Sequence, residues 1–125
     1  MDIKIYYRDT DCGGVVYYAN YLDYFERART EWMENRGVSI RELMDKGIYF
    51  VVKDAYINYK HPARYGDVLN VEVEMDQKTK ASINFKYNVF NKNEGKISVT
   101  GSTKLVCVGE SFNPVPIPAD IMKKI

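Results

Sequence analysis

The sequence predicts an α+β architecture in which one long helix lies against an antiparallel sheet. Three observations carry this. A single extended stretch has helical periodicity, several stretches alternate with a period of two, and turn signals separate them at short intervals. The chain has 125 residues, 46% of them hydrophobic and 28% charged, which are ordinary globular values and the size of one domain, read here as spanning 1–125. A domain this small leaves little room for a deep enclosed site, so an oligomer that builds its site between subunits is expected.

The elements follow in order. In residues 2–8, Ile3, Ile5 and Tyr7 alternate with Asp2, Lys4 and Tyr6, the pattern of a half-buried strand. Asp9-Thr10-Asp11-Cys12-Gly13-Gly14 is rich in turn formers. From Tyr21 to Arg36 the residues Tyr21, Phe25, Ala28 and Trp32 form one helix stripe, with Asn20 as N-cap and Gly37 as stop. Ser39-Ile40-Arg41-Glu42 is a capping box for a short second helix ending near Gly47. Residues 48–60 read as a strand with a bulge near Lys53, and 61–67 as a loop. Residues 68–76 and 82–90 alternate cleanly, Asn91 to Gly95 make a hairpin loop, and 96–108 form a last long strand. The tail 113–118 is extended and ends the domain. The four later strands are expected to follow one another in meander-like succession.

Several functions are excluded early. Eighteen basic and 17 acidic residues give a net charge of +1, with no basic stripe for nucleic acid or a membrane surface. No apolar run reaches the length of a membrane span, and the first residues lack the apolar core of a signal peptide. The chain is therefore read as cytoplasmic. Cys12 and Cys107 are read as reduced, small packing residues. There is one histidine, His61, read as a loop-structural residue. No zinc signature, P-loop or dinucleotide fingerprint occurs, and neither a metal nor a cofactor is expected.

What remains is the run from Asp9 to Asn20. Two carboxylates at a strand end are followed by a glycine turn and then by a helix start. Such an order can set a carboxylate beside the free N–H groups of a helix N-terminus, which suit a carbonyl oxygen that gains negative charge. Asp and Gly are also what an ordinary turn uses, and spacing alone does not choose between the two readings.

The segment YYRDTDCGGVVYYANYLDYFERARTEW, residues 6–32, resembles the signature of the 4-hydroxybenzoyl-CoA thioesterase family. It is most similar to the bacterial acyl-CoA thioesterases associated with the Tol-Pal system. Residues 59–74, 85–108 and 114–118 resemble the family's later blocks, so the likeness covers nearly the whole chain. The resemblance implies a hotdog fold, a central helix wrapped by an antiparallel sheet of five or six strands. It implies dimers, often paired into tetramers, with sites at subunit interfaces. The activity it implies is hydrolysis of short-chain aliphatic or aromatic acyl-CoA to free acid and CoA, without metal or cofactor, with an acyl carrier protein as a second possible partner.

Carried over residue by residue, the catalytic carboxylate falls on Asp11, nucleophile or general base. Tyr7 matches a tyrosine of the site in close relatives. Tyr18 stands where Tol-Pal-type relatives usually have histidine and where the 4-hydroxybenzoyl-CoA type has tyrosine. Its backbone N–H is assigned to polarising the thioester carbonyl. Gly14, Val16 and Tyr17 are read as substrate-binding, Asp9 as a turn residue, and Glu26, Arg27 and Arg29 as helix-surface ion pairs. For the CoA phosphates the candidates are Lys60, Arg64 and Lys104. The competing reading is a non-catalytic module that binds acyl-CoA or an acyl carrier protein.

Overall fold

A helix with one apolar stripe must bury that stripe, and here a single curved sheet covers it. The computed structural model describes all of residues 1–125. The strands are β1 (Asp2–Lys4), β2 (Tyr49–Tyr59), β3 (Val68–Lys78), β4 (Ser82–Asn91) and β5 (Lys96–Val108); the helices are α1 (Asn20–Glu34), α2 (Ile40–Asp45) and α3 (Ala119–Met122). The five strands form one antiparallel sheet in the order β1-β3-β4-β5-β2. This is the hotdog arrangement that the resemblance implies, with five strands.

The period-2 readings hold for β3 and β4. Leu69 and Val71 of β3, and Ile83, Phe85, Tyr87 and Val89 of β4, are buried, while Glu72, Glu74, Lys86 and Asn88 face outward. Tyr21, Tyr24, Phe25, Ala28 and Met33 are buried along α1. Phe25 stacks on Tyr87 at 4.2 Å between ring centroids and 8° between planes. Gly101 permits that approach, because a Cβ there would stand 2.6 Å from the Phe25 ring and 2.7 Å from the Tyr56 carbonyl oxygen. The one polar group in this stack is satisfied: the Tyr87 and Thr103 hydroxyls share a 2.6 Å hydrogen bond.

Turn chemistry is where the sequence places it. Gly37 and Gly47 end the helices at φ +79° and +73°. Ser39 Oγ accepts the Glu42 N–H at 3.2 Å. The register of β2 against β5 shifts between Val52 and Asp54, so Lys53 is the bulge.

Several expectations are corrected. The first strand stops at Lys4, and Tyr7–Asp9 form a 3₁₀ turn. The cause is local: the Asp9 carboxylate accepts the Tyr6 N–H at 2.8 Å, removing it from any ladder. Tyr7 therefore points away from the core, at 83% exposure. Asn20 does not cap α1; Ala19 occupies the cap position, and the Asn20 amide instead donates to the Asp9 carbonyl at 2.9 Å. Trp32 is only partly buried, because the stripe slips to Met33 at the helix end. β2 does not adjoin β3 in a meander but crosses to the far edge beside β5. Cys12 is exposed on a turn, whereas Cys107 is buried as expected, and both thiols are free. The tail is extended over 113–118 as expected, with Ile117 buried, but it does not end the domain there: α3 follows and buries Ile121, four helical residues being too few to show a period.

Candidate active site

Residues 9–17 form a tight hairpin held by its own backbone. The Asp11 N–H donates to the Val15 carbonyl at 2.9 Å, the Gly14 N–H to the Asp11 carbonyl at 3.0 Å, and the Tyr17 N–H to the Asp9 carbonyl at 2.9 Å. Thr10 bridges Val16, and Val15 bridges Arg64 in the loop between β2 and β3. Gly14 turns the chain at φ +77°, a conformation that costs a side chain energy. Asp9 is thus the turn residue expected, holding the loop at both ends.

At the hairpin tip, Asp11 Oδ1 accepts the Gly13 N–H at 2.8 Å. Oδ2 accepts nothing from the protein. One oxygen orients the carboxylate and the other is free for chemistry. A side chain at Gly13 would place its Cβ 3.2 Å from Oδ1, so glycine keeps the carboxylate uncrowded.

Asp11 stands between two clefts. One, of about 350 Å³, is lined by Asp11, Val16, Tyr18, Tyr21, Tyr59 and His61, with Val15, Lys60 and Pro62 completing it. The other, of about 720 Å³, is walled by Tyr7, Thr10, Asp11, Cys12, Gly14 and Tyr65. The fold therefore gathers Asp11, Val16 and Tyr18 around one cleft. It puts Tyr7 and Gly14 on the other side of the same carboxylate. Tyr17 lines neither, and its ring lies against Tyr18 at 4.8 Å between centroids.

The smaller cleft has an aromatic wall. Tyr59 meets the Tyr18 ring edge-on at 6.5 Å and the Tyr21 ring at 5.8 Å. The Tyr59 hydroxyl donates to the Tyr18 carbonyl at 2.9 Å, which fixes that peptide. The N–H groups of Tyr18 and Ala19, just before α1, donate to no acceptor in the chain. Burial pushes the Tyr21 phenol up to about 12 and raises the Tyr59 phenol as well, so both stay protonated at neutral pH. The result is an apolar wall, a free carboxylate oxygen and free backbone donors around one space. That set suits attack on a carbonyl whose oxygen must be stabilised.

Sequence reasoning misses Tyr21, Tyr59 and His61 as cleft residues. The backbone N–H of His61 donates to the Ser98 carbonyl at 3.1 Å and fixes the loop, and the residue also lines the Asp11 cleft. Tyr59 alone carries a signal, an aromatic at the end of a strand rich in them. Of the phosphate candidates, Lys60 lines the Asp11 cleft, while Arg64 lines a separate polar cleft beside it. Lys104 is elsewhere, between Asp54 and Asp76. On the helix surface, Arg27 pairs with Asp23 at 3.9 Å.

Comparison with known proteins gives a consistent picture. A sequence model described as the thioesterase-like superfamily matches residues 6–125. The acyl-CoA thioester hydrolase YbgC of Escherichia coli O157:H7 is 34% identical over 121 residues, covering 96% of this chain and 90% of that protein. The acyl-CoA thioesterase YbgC of Haemophilus influenzae is 36% identical over 121 residues, covering 95% and 88%. Among solved structures, a DHNA-CoA thioesterase from Staphylococcus aureus superposes with a TM-score of 0.95 at 30% identity, over 99% of this chain and 85% of that one.

Proposed function

The chain belongs to the thioesterase-like superfamily, and from that premise we propose that it is an acyl-CoA thioesterase with Asp11 as its carboxylate. The observation that carries the proposal is the shared cleft of Asp11 and Tyr18, with one Asp11 oxygen held and the other free. The thioester carbonyl accepts the Tyr18 N–H, which stabilises the negative charge that forms on its oxygen. Asp11 Oδ2 either attacks the carbonyl carbon or takes the proton of an attacking water. On the first route the C–S bond breaks to leave an acyl–Asp11 anhydride, which a water then hydrolyses to free the acid and restore Asp11; on the second the water adduct collapses with loss of the thiolate. On either route one water is consumed, and its proton converts the departing CoA thiolate to the thiol. Single turnover in oxygen-18 water separates the two routes: label in the Asp11 carboxylate marks direct attack.

Tyr18 orients the acyl group through its ring, and Tyr21 and Tyr59 complete an aromatic slot suited to a short aliphatic or an aromatic acyl group. Tyr7, Gly14 and Tyr65 wall the approach on the other side of Asp11. The acyl donor is CoA or an acyl carrier protein, presented from solution; no helix is long and apolar enough to cross a membrane. Free Cys12 and Cys107 suit a reducing compartment, the cytoplasm.

The functional unit we propose is a homodimer or homotetramer with sites at the interface. β2 supports this. It is an edge strand 11 residues long, pairs only with β5, and exposes Val52, Tyr56 and Tyr59. Tyr59 belongs to both the edge and the cleft, so a partner on that edge would cover the site.

Free-thiol release across acyl-CoAs from acetyl to palmitoyl, with benzoyl and 4-hydroxybenzoyl included, tests the reading. Release by wild type and not by Asp11→Asn is the expected result. A fully active Asp11→Asn enzyme would remove Asp11 from its role. No release from any substrate by folded wild type would leave a non-catalytic acyl-CoA binder.

A further inference from the structure

Two consecutive peptides lead into α1, and each is held by its oxygen. The Tyr17 carbonyl accepts the Asn20 N–H at 2.9 Å, which closes a four-residue turn with Tyr18 and Ala19 at its corner. Ala19, at φ −76° and ψ −16°, has the angles of the third residue of a type I turn. The Tyr18 carbonyl accepts the Tyr59 hydroxyl at 2.9 Å and no backbone N–H. Each peptide is a rigid trans plane, so anchoring its oxygen sets the direction of its N–H. The two N–H groups directed in this way, of Tyr18 and Ala19, are the two left without an acceptor.

The anchors differ in origin. The first is local, because Asn20 belongs to the first turn of α1 and its N–H comes with the helix. The second reaches the turn from 41 residues away, and nothing in the turn itself replaces it. The peptide it holds is the one that a β-turn can turn over. Rotation there exchanges the places of the Tyr18 carbonyl and the Ala19 N–H and converts type I to type II. Ala19 resists the full flip, because type II needs a positive φ at its position. Smaller rocking of the same peptide is opposed only by the Tyr59 bond.

Tyr59 is itself firmly placed. It ends β2, paired with Val99 of β5, and the next two residues, Lys60 and His61, both donate their N–H groups to the Ser98 carbonyl at 2.9 and 3.1 Å. Its ring meets those of Tyr18 and Tyr21 edge-on, and Tyr21 is buried against Tyr24. Burial raises the Tyr59 phenol, and the Tyr18 phenol adds to the rise, so the hydroxyl keeps its proton at neutral pH and donates it to the carbonyl.

Tyr59 and Tyr18 share the cleft of Asp11. We propose that Tyr59 is a positioning residue for thioester hydrolysis: by anchoring the Tyr18 carbonyl, its hydroxyl sets the Ala19 N–H as a second donor, beside that of Tyr18, to the substrate oxygen that gains charge. The inference rests on the acyl-CoA thioesterase reading. It separates two parts of one side chain: the ring walls the acyl slot, and the hydroxyl acts on the reaction through the backbone. A donor slightly out of place stabilises the transition state less while binding the ground state almost as well.

Tyr59→Phe keeps the ring and removes only the hydroxyl. With an acyl-CoA that wild type hydrolyses, kcat is expected to fall about tenfold while KM stays within about twofold. Infrared difference spectra read the donors directly. The same acyl-CoA, labelled with carbon-13 at the thioester carbonyl, is bound to Asp11→Asn, which holds it unhydrolysed. Its carbonyl band is expected to move to lower frequency on binding, and to move less in Asp11→Asn/Tyr59→Phe. Loss of folding alone would reduce the bound fraction and leave the band of that fraction in place. An unchanged kcat in Tyr59→Phe, or the same band in both Asp11→Asn proteins, overturns the proposal and leaves the thioesterase reading standing. A folded wild type that releases thiol from no acyl-CoA overturns that reading, and the proposal with it.

Discussion

The helix–sheet core and the 9–17 hairpin are built on opposite terms. Around Phe25, Tyr87 and Gly101, order comes from packing: apolar rings are stacked against a glycine, and nothing larger fits. Around Asp11, order comes from hydrogen bonds: Asp11 to Gly14 are exposed, Val16 alone is buried, and a lattice of short-range backbone and carboxylate bonds holds the turn. The first region carries stability and tolerates little. The second presents the candidate carboxylate, and apart from Val16 its side chains add little to the core. A substitution in one should therefore leave the other's property nearly untouched.

Asp11→Asn separates the two regions most sharply. The amide oxygen can still accept the Gly13 N–H, so the turn persists while the free carboxylate oxygen is lost. We expect kcat/KM for acyl-CoA to fall by about 10³-fold or more, roughly 4 kcal/mol of transition-state stabilisation, with no change in melting temperature beyond a degree or two. A large drop in melting temperature would show that the hairpin and the core are one cooperative unit.

Phe25→Ala reverses the pattern. It removes a fully buried ring stacked on Tyr87, and the expected cost is about 3 kcal/mol of stability by denaturant titration. Where the variant is still folded, kcat should stay within a few-fold of wild type.

Tyr21 links the two regions, since it is buried on α1 and also lines the Asp11 cleft. Its folded-state phenol is raised from 10 to about 12 by burial. A raised value means that the stability it confers is complete below pH 10 and is lost as pH rises toward 12. Unfolding free energy measured against pH should therefore be level through pH 9 and fall above 10. Tyr21→Phe should remove up to one proton from that slope; an unchanged slope would assign the alkaline loss to other groups, such as Tyr24 and Tyr87, also raised by burial.

The smallest effect concerns Tyr24, whose hydroxyl is buried with no hydrogen-bond partner. Tyr24→Phe removes that unsatisfied group without changing the ring, and a gain of about 1 kcal/mol in thermal or denaturant stability is expected. A loss would mean that the hydroxyl bonds to Asp9 in solution and belongs to the hairpin's lattice.

Features that depend on neighbours along the chain are legible in the sequence. The α1 stripe, the alternation of β3 and β4, the Lys53 bulge, the stops at Gly37 and Gly47 and the Ser39 cap are all effects of residues within a few positions, and periodicity or turn chemistry exposes them. The motif around Asp11 is likewise contiguous, which is why the candidate carboxylate was visible. Even locally the reading failed where a side chain outcompeted the backbone ladder, as Asp9 does at Tyr6 and Tyr7. Long-range pairing settles which edge β2 takes, which tyrosines line the Asp11 cleft and that Arg64, Lys96 and Ser98 line one hollow. Tyr18 and Tyr59 are 41 residues apart. Strand pairing and the closing of loops across the sheet bring such residues together, and those contacts are settled by the whole core's burial, which no local pattern encodes.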